Sequence, residues 1–169
     1  MAKSEYSDAI ALLKADHRKV EDLFGDFENA GSASKKQALA EQICNELKVH
    51  TMIEEEIFYP AFAGKIEDET LNEAYVEHDG AKLLVNDILA SDAEDEYYDA
   101  KVKVLSEEIK HHVKEEEMPG EGMFAQCRQS GVDLVALLDV MLARKQELMP
   151  QATANRLPPA QMAVLQPMM

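Results

Sequence analysis

The stretch YDAKVKVLSEEIKHHVKEEE, residues 98–117, decides the fold. Its apolar residues Tyr98, Val102, Leu105 and Ile109 recur in alternating steps of four and three, which keeps them on one face of an α-helix. Continued by the same steps, the stripe passes through His112 and Glu116. Titratable groups therefore stand where a core helix carries Leu, Ile or Val. The neighbouring line through Val104, Glu108, His111 and Glu115 is mostly polar and reads as a solvated face. Adjacent helical residues point about 100° apart, so His111 and His112 cannot face one point. The stripe selects His112.

Three more segments, read outward from this one, show the same interruption. The first runs from an N-cap near Ser7 to a stop at Asn29–Gly31, and its stripe (Ile10, Leu13, Val20, Phe24, Phe27) closes only through His17. The second starts near Ser34 and carries Leu39, Ile43, Leu47, Ile57 and Ala61, with His50 and Glu54 in its gaps. The third, about 67–90, runs Leu71, Ala74, Ala81, Val85 and Ile88 through His78. Narrow stripes joined by short connections predict an all-α fold, an up-down-up-down antiparallel four-helix bundle. A fifth helix is expected at about 132–148, packed across the bundle, after a Gly/Pro-bearing break at 118–131. Residues 150–169 hold four prolines and no acid, and predict an extended C-terminal tail outside a bundle of residues 1–149.

Composition limits the function. With 17 Lys+Arg against 33 Asp+Glu, the net charge is −16, which disfavours nucleic acid and anionic membranes as partners. The longest apolar stretch is too short to span a bilayer. No leader is evident in MAKSEYSD, and two cysteines, Cys44 and Cys127, make no disulfide framework. A reduced cytoplasmic setting is the expectation.

Four imidazoles and two carboxylates in one core demand compensation, because an unpartnered buried carboxylate costs several kcal/mol or takes up a proton. A metal centre supplies it. His at i and Glu at i+4 share a helix face, so two such pairs offer donors for two ions with bridging carboxylates. Imidazole with carboxylate, and no sulfur, suits iron, manganese or zinc. The spacing alone is common in so acidic a chain, since His17–Glu21 and His111–Glu115 share it. What distinguishes His50–Glu54 and His112–Glu116 is that they lie on core stripes. A half-repeat adds to this: His17 precedes His50 by 33 residues, and His78 precedes His112 by 34.

The order His17, His50-xxx-Glu54-Glu55, His78, His112-xxx-Glu116-Glu117 resembles the hemerythrin-like HHE cation-binding family. HTMIEEEIFYP (50–60) resembles its His-xxx-Glu-Glu run ending in an aromatic and Pro, and KHHVKEEE (110–117) its second copy, with Phe124 arriving late. The resemblance spans about residues 8–145. It implies a four-helix bundle holding two irons, oxo- or hydroxo-bridged, with zinc or manganese as substitutes. His17, His50, His78 and His112 are then terminal ligands, and Glu54 and Glu116 bridges. One departure stands out: oxygen-carrying hemerythrins place two His four apart on the third helix, where this chain has Ala74 and Lys82 around His78. A further coordination position is left to solvent, Glu77, Tyr75 or an exogenous ligand. The resemblance implies O2, NO or peroxide as the small partner, or else an iron-sensing or iron-storage module without turnover. The ferritin-like alternative needs two Glu-xx-His motifs, and this chain has only Glu108–His111, off the stripe. Cys127 reads as an inert thiol, Glu55 and Glu117 as solvated or supporting acids, and the Met-bearing tail as a surface for self-association or a protein partner.

Overall fold

The structure is a computed structural model describing residues 5–166. Residues 1–4, part of the stretch read as lacking a leader, and the tail's last three residues, 167–169, lie outside it. Helix α1 spans Ala9–Glu28, capped not by Ser7 but by Asp8, whose carboxylate accepts from Ala11 N at 2.9 Å. Helix α2, Ala33–Ile53, starts at Ser32, whose hydroxyl accepts from Lys35 N. A π-helical turn, Glu54–Phe58, and a short α3, Tyr59–Phe62, continue it. Helices α4 (Asp68–Ala90) and α5 (Tyr98–Glu117) complete the bundle. Helix α6 is Met123–Gln129 and α7 is Leu134–Thr153. Consecutive long helices pack side by side and α1 also meets α5, which closes the four-helix ring, while α7 lies across α1 and α2.

The apolar core is divided. One cluster gathers Ile10, Leu13, Ile53, Phe58, Phe62, Leu71 and Ala74 with Phe124 and Met141. The other gathers Val20, Phe24, Ile43, Leu47, Ala81, Val85, Val102, Leu105 and Ile109. Between them lies a polar layer: on α1, Leu13 belongs to one cluster, Val20 to the other, and His17 sits at the boundary. On α4 the sequence Ala74, His78, Ala81 does the same.

Three features depart from the sequence-based expectation. The π-turn inserts a residue after Glu54, and Tyr59 N–H returns to the Glu54 carbonyl. The register beyond it slips by one, so Phe58, Tyr59 and Phe62 are fully buried, whereas the expected Ile57 and Ala61 are only half-buried. The break at 118–131 contains α6, formed because Met123, Phe124 and Cys127 can bury one small face. Helix α7 outlasts its expected end at Leu148, running through Pro150 to Thr153, because Leu148 and Ala152 are both buried and hold the last turn down.

Beyond Thr153 a turn at 154–155 leads into a segment without helix or strand, yet it is fastened to the bundle. Lys48 Nζ donates to Pro158 O at 2.7 Å, and Asn86 both donates to Ala160 O and accepts from Ala160 N. The buried Asp79 carboxylate accepts from three successive backbone N–H groups, those of Ala163, Val164 and Leu165. Burial opposes its ionisation, but these bonds and Lys82 hold the carboxyl below its usual range. Asp79→Ala should therefore release residues 160–166 and cost roughly 2 kcal/mol, the scale of bonds to a charged acceptor. Limited proteolysis should detect new cleavage after residue 155, and urea melts the lower midpoint.

Candidate metal centre

All six stripe-interrupting residues are buried, from 0% exposure at Glu54 to 6% at His50. They meet in two trios whose donor atoms lie within 4.8 Å of one another: His17, His50 and Glu116 in one, Glu54, His78 and His112 in the other. His111 points away, its side chain 65% exposed. His112, the residue on the core stripe, is buried.

Each imidazole is held from behind by a carboxylate. His17 Nδ1 lies 2.6 Å from Glu117, His50 Nδ1 3.0 Å from Asp16, His78 Nδ1 2.8 Å from Glu55, and His112 Nδ1 2.9 Å from Glu77. An ionised carboxylate only accepts, so all four Nδ1 atoms carry the proton and a neutral ring presents its Nε2 lone pair inward. The inward atoms then crowd together. His78 Nε2 and His112 Nε2 stand 3.2 Å apart. Glu54 Oε1 lies 2.7 Å from His50 Nε2 and 3.3 Å from His78 Nε2, and Glu116 Oε1 lies 3.3 Å from His17 Nε2 and 3.1 Å from His112 Nε2.

Each glutamate thus stands between one imidazole of either trio. Despite these distances, His17 Nε2, His50 Nε2, both Glu54 oxygens and Glu116 Oε1 make no well-directed hydrogen bond. Buried polar atoms almost always find partners, so a set of inward-facing lone pairs without them fits cations and fits nothing apolar.

Protons do the same work when cations are absent. Burial opposes the charge on His50, but Glu54 and Asp16 outweigh it and push the imidazole up to about 10. His112 is raised well above its usual value by Glu116 and Glu77 against the same burial penalty. Burial would raise Glu116, yet His112 and His17 hold it well below the carboxylate range.

One donor escaped the sequence reading. Tyr59 Oη donates to Glu116 Oε2 at 3.1 Å and lies 3.1 Å from His78 Nε2. Burial and the two glutamates raise its phenol well above 10, so it is a neutral donor. Only the π-turn brings it here; at regular helical spacing residue 59 falls off the stripe. Tyr75, named as a further ligand, instead packs edge-on against the Tyr59 ring at 5.3 Å, and Glu77, the other residue named, supports His112. On the floor of the site, Phe124 stacks on His17 and meets Phe58 edge-on. Gly122 permits that return, since a Cβ there would lie 2.7 Å from Met118 backbone atoms.

The hemerythrin HHE cation binding domain model matches residues 8–127, well over half the chain. The chain belongs to that family. A crystal structure of a hemerythrin HHE cation binding domain-containing protein from Mycobacterium kansasii superposes with a TM-score of 0.72, covering 88% of this chain and 91% of that one at 20% identity. The fold is therefore the hemerythrin-like one. A DNA nickase from Nostoc sp. is 28% identical over 106 residues, 63% of this chain, and this chain spans only 30% of that protein.

Within this HHE domain both cysteines are free and buried. Burial pushes Cys127 up to about 12, with Glu116 and Glu54 adding to it, and burial does the same to Cys44. No helix among the described residues is long and apolar enough to cross a membrane.

The imidazole charges set a pH dependence for the metal-free domain. A raised His50 contributes stability that is complete below the unfolded value near 6.5 and is lost as pH rises through about 10. Thermal melts of chelator-treated protein should therefore fall in midpoint between pH 7 and 10. At pH 7 cation binding must expel the same protons, so calorimetry in buffers of different ionisation enthalpy should report net proton release.

Proposed function

We propose that this chain is a non-haem di-iron protein that binds or processes O2, NO or peroxide at a carboxylate-bridged centre. His17, His50, His78 and His112 would be terminal ligands and Glu54 and Glu116 the bridges. The observation that carries the reading is the placement of both glutamate oxygens between imidazoles of opposite trios, which a pair of separate mononuclear sites does not require. Iron bound there would supply an open coordination position and redox chemistry. Zinc and manganese satisfy the same donors and would occupy the site without that redox chemistry.

The protein's own groups have definite tasks. Asp16, Glu55, Glu77 and Glu117 hold the imidazoles in one tautomer and orientation, so that little reorganisation accompanies binding. Phe58, Phe62 and Phe124 keep bulk water from the floor. Ala74, one turn before His78, brings no donor, whereas the hydroxyl of Tyr59 lies 3.1 Å from His78 Nε2. A neutral phenol beside an open position is a hydrogen-bond donor to an exogenous ligand and a source of one proton.

A second reading, a metal-responsive module without turnover, has its own support. Lys82 bonds Glu55, Asp79 and Gln161 O together, so the C-terminal strap and the support of His78 share one cation. Metal occupancy and strap docking would then be coupled.

Protein loaded with ferrous iron and exposed to air should bind about two iron per chain and absorb in the near ultraviolet, and azide or NO should change that spectrum. Iron that leaves on desalting sinks the di-iron reading, and a spectrum indifferent to every added ligand favours the second. His112→Ala should lower iron stoichiometry, whereas His111→Ala should leave it intact. Tyr59→Phe should keep both ions but weaken azide affinity about tenfold, the value of one buried hydrogen bond.

A further inference from the structure

The carboxylates behind the four imidazoles are not equivalent. Asp16 is paired with Lys145, Glu117 with Arg18, and Glu55 with Lys82. Among the described residues, no lysine or arginine is paired with Glu77. Its partners are His112 within and His111 and Glu115 outside, and His111 Nε2 lies 3.3 Å from Glu77 Oε2 and 3.0 Å from Glu115 Oε1. These three residues bring their donor atoms within 4.8 Å of one another at the surface.

Glu77 and Glu115 also line a cleft of about 260 Å³ between α4, α5 and the turn into α6. Glu73 and Glu121 stand exposed on its walls, His112 and Glu116 form its inner end, and no lysine or arginine lines it. At that inner end Glu116 Oε1 is buried and has no hydrogen-bond partner. A cation approaching the centre meets a fixed positive charge behind three of the imidazoles and a graded run of carboxylates behind the fourth. Such a cleft raises the local cation concentration and the association rate by a factor of ten or more.

We infer that this face is the route by which divalent cations enter, and that Glu77, His111 and Glu115 form an outer site on which an ion docks before passing to Glu116 and His112. The inference rests on the reading that the inner trios hold cations. One imidazole with two carboxylates suits a divalent first-row ion, and its exposure makes the hold weak and exchangeable. Glu77 serves both sites, one oxygen toward His111 and the other toward His112, so the two are a single side chain apart.

Cobalt(II) added to the metal-free full-length protein, followed by its visible absorption, tests this. Wild type should show two tight equivalents and a weaker third. His111→Ala combined with Glu115→Gln should lose the third, keep the two, and slow their filling about tenfold, while Glu41→Gln, which removes one exposed charge from α2, fills at the wild-type rate. Because His111 and Glu115 are surface residues, circular dichroism should be unchanged; Glu115→Lys alone should slow uptake as well. Equal uptake rates in the double variant and the Glu41→Gln control, or a third equivalent that survives, overturn the inference while leaving the inner centre standing. A wild type that takes up no cobalt overturns both.

Discussion

The structure depends on one constraint: six buried donors must share positive charge at the middle of an apolar bundle. The two hydrophobic clusters lie on either side of that layer and do not merge through it. Each cluster supplies the burial that holds its half of every helix, worth about 1.5–3 kcal/mol for each large side chain. The layer between them is stable only when its lone pairs face protons or cations. Packing therefore fixes where the donors are, and electrostatics decides what must lie among them.

The outer shell follows from this. Asp16, Glu55, Glu77 and Glu117, with the two inner glutamates, make six carboxylates, against which Lys145, Lys82 and Arg18 are the lysines and arginines set among the described residues. The layer is short of positive charge, and in the metal-free chain the carboxylates around His50, His112 and His17 raise these imidazoles against the burial penalty and so favour their charged forms. Helix α7 belongs to the same scheme, because Lys145 pins Asp16 and Arg144 pins Glu56. Its crossing of α1 and α2 positions charge as well as covering apolar surface.

Much of this was legible in the residues. Stripes of alternating three and four steps located the four helices, and the interruptions at His17, His78 and His112 marked the layer because a titratable group on a core stripe breaks the pattern visibly. Glu55 and Glu117 were readable as supporting acids, but which imidazole each support serves was not legible. Asp16 precedes His17 by one residue, yet it serves His50 on the next helix, and Glu55 and Glu117 follow the core glutamates by one residue yet serve His78 and His17 across the bundle. Pairings between helices depend on how the helices rotate against one another, which periodicity along a single helix does not encode. Tyr59 was hidden for a different reason: the π-turn changes the period itself, and a reading that assumes 3.6 residues per turn stops one residue short.

The strap shows how a weak helix former can still be a structural part. Residues 156–166 bury little apolar surface, so hydrophobic collapse does not explain their docking. Backbone groups do. Asp79 gathers three N–H groups, Asn86 pairs both ways with Ala160, and Lys48 and Lys82 take two carbonyls. Asp79 is itself fully buried, and its cation is Lys82, the residue that also orients Glu55 behind His78. Removing the strap would leave a buried carboxylate with one partner and would open Lys82 to water. The charge that orients one imidazole of the centre is thus stabilised from outside the four helices, which ties the segment least helical in character to the chemistry at the core.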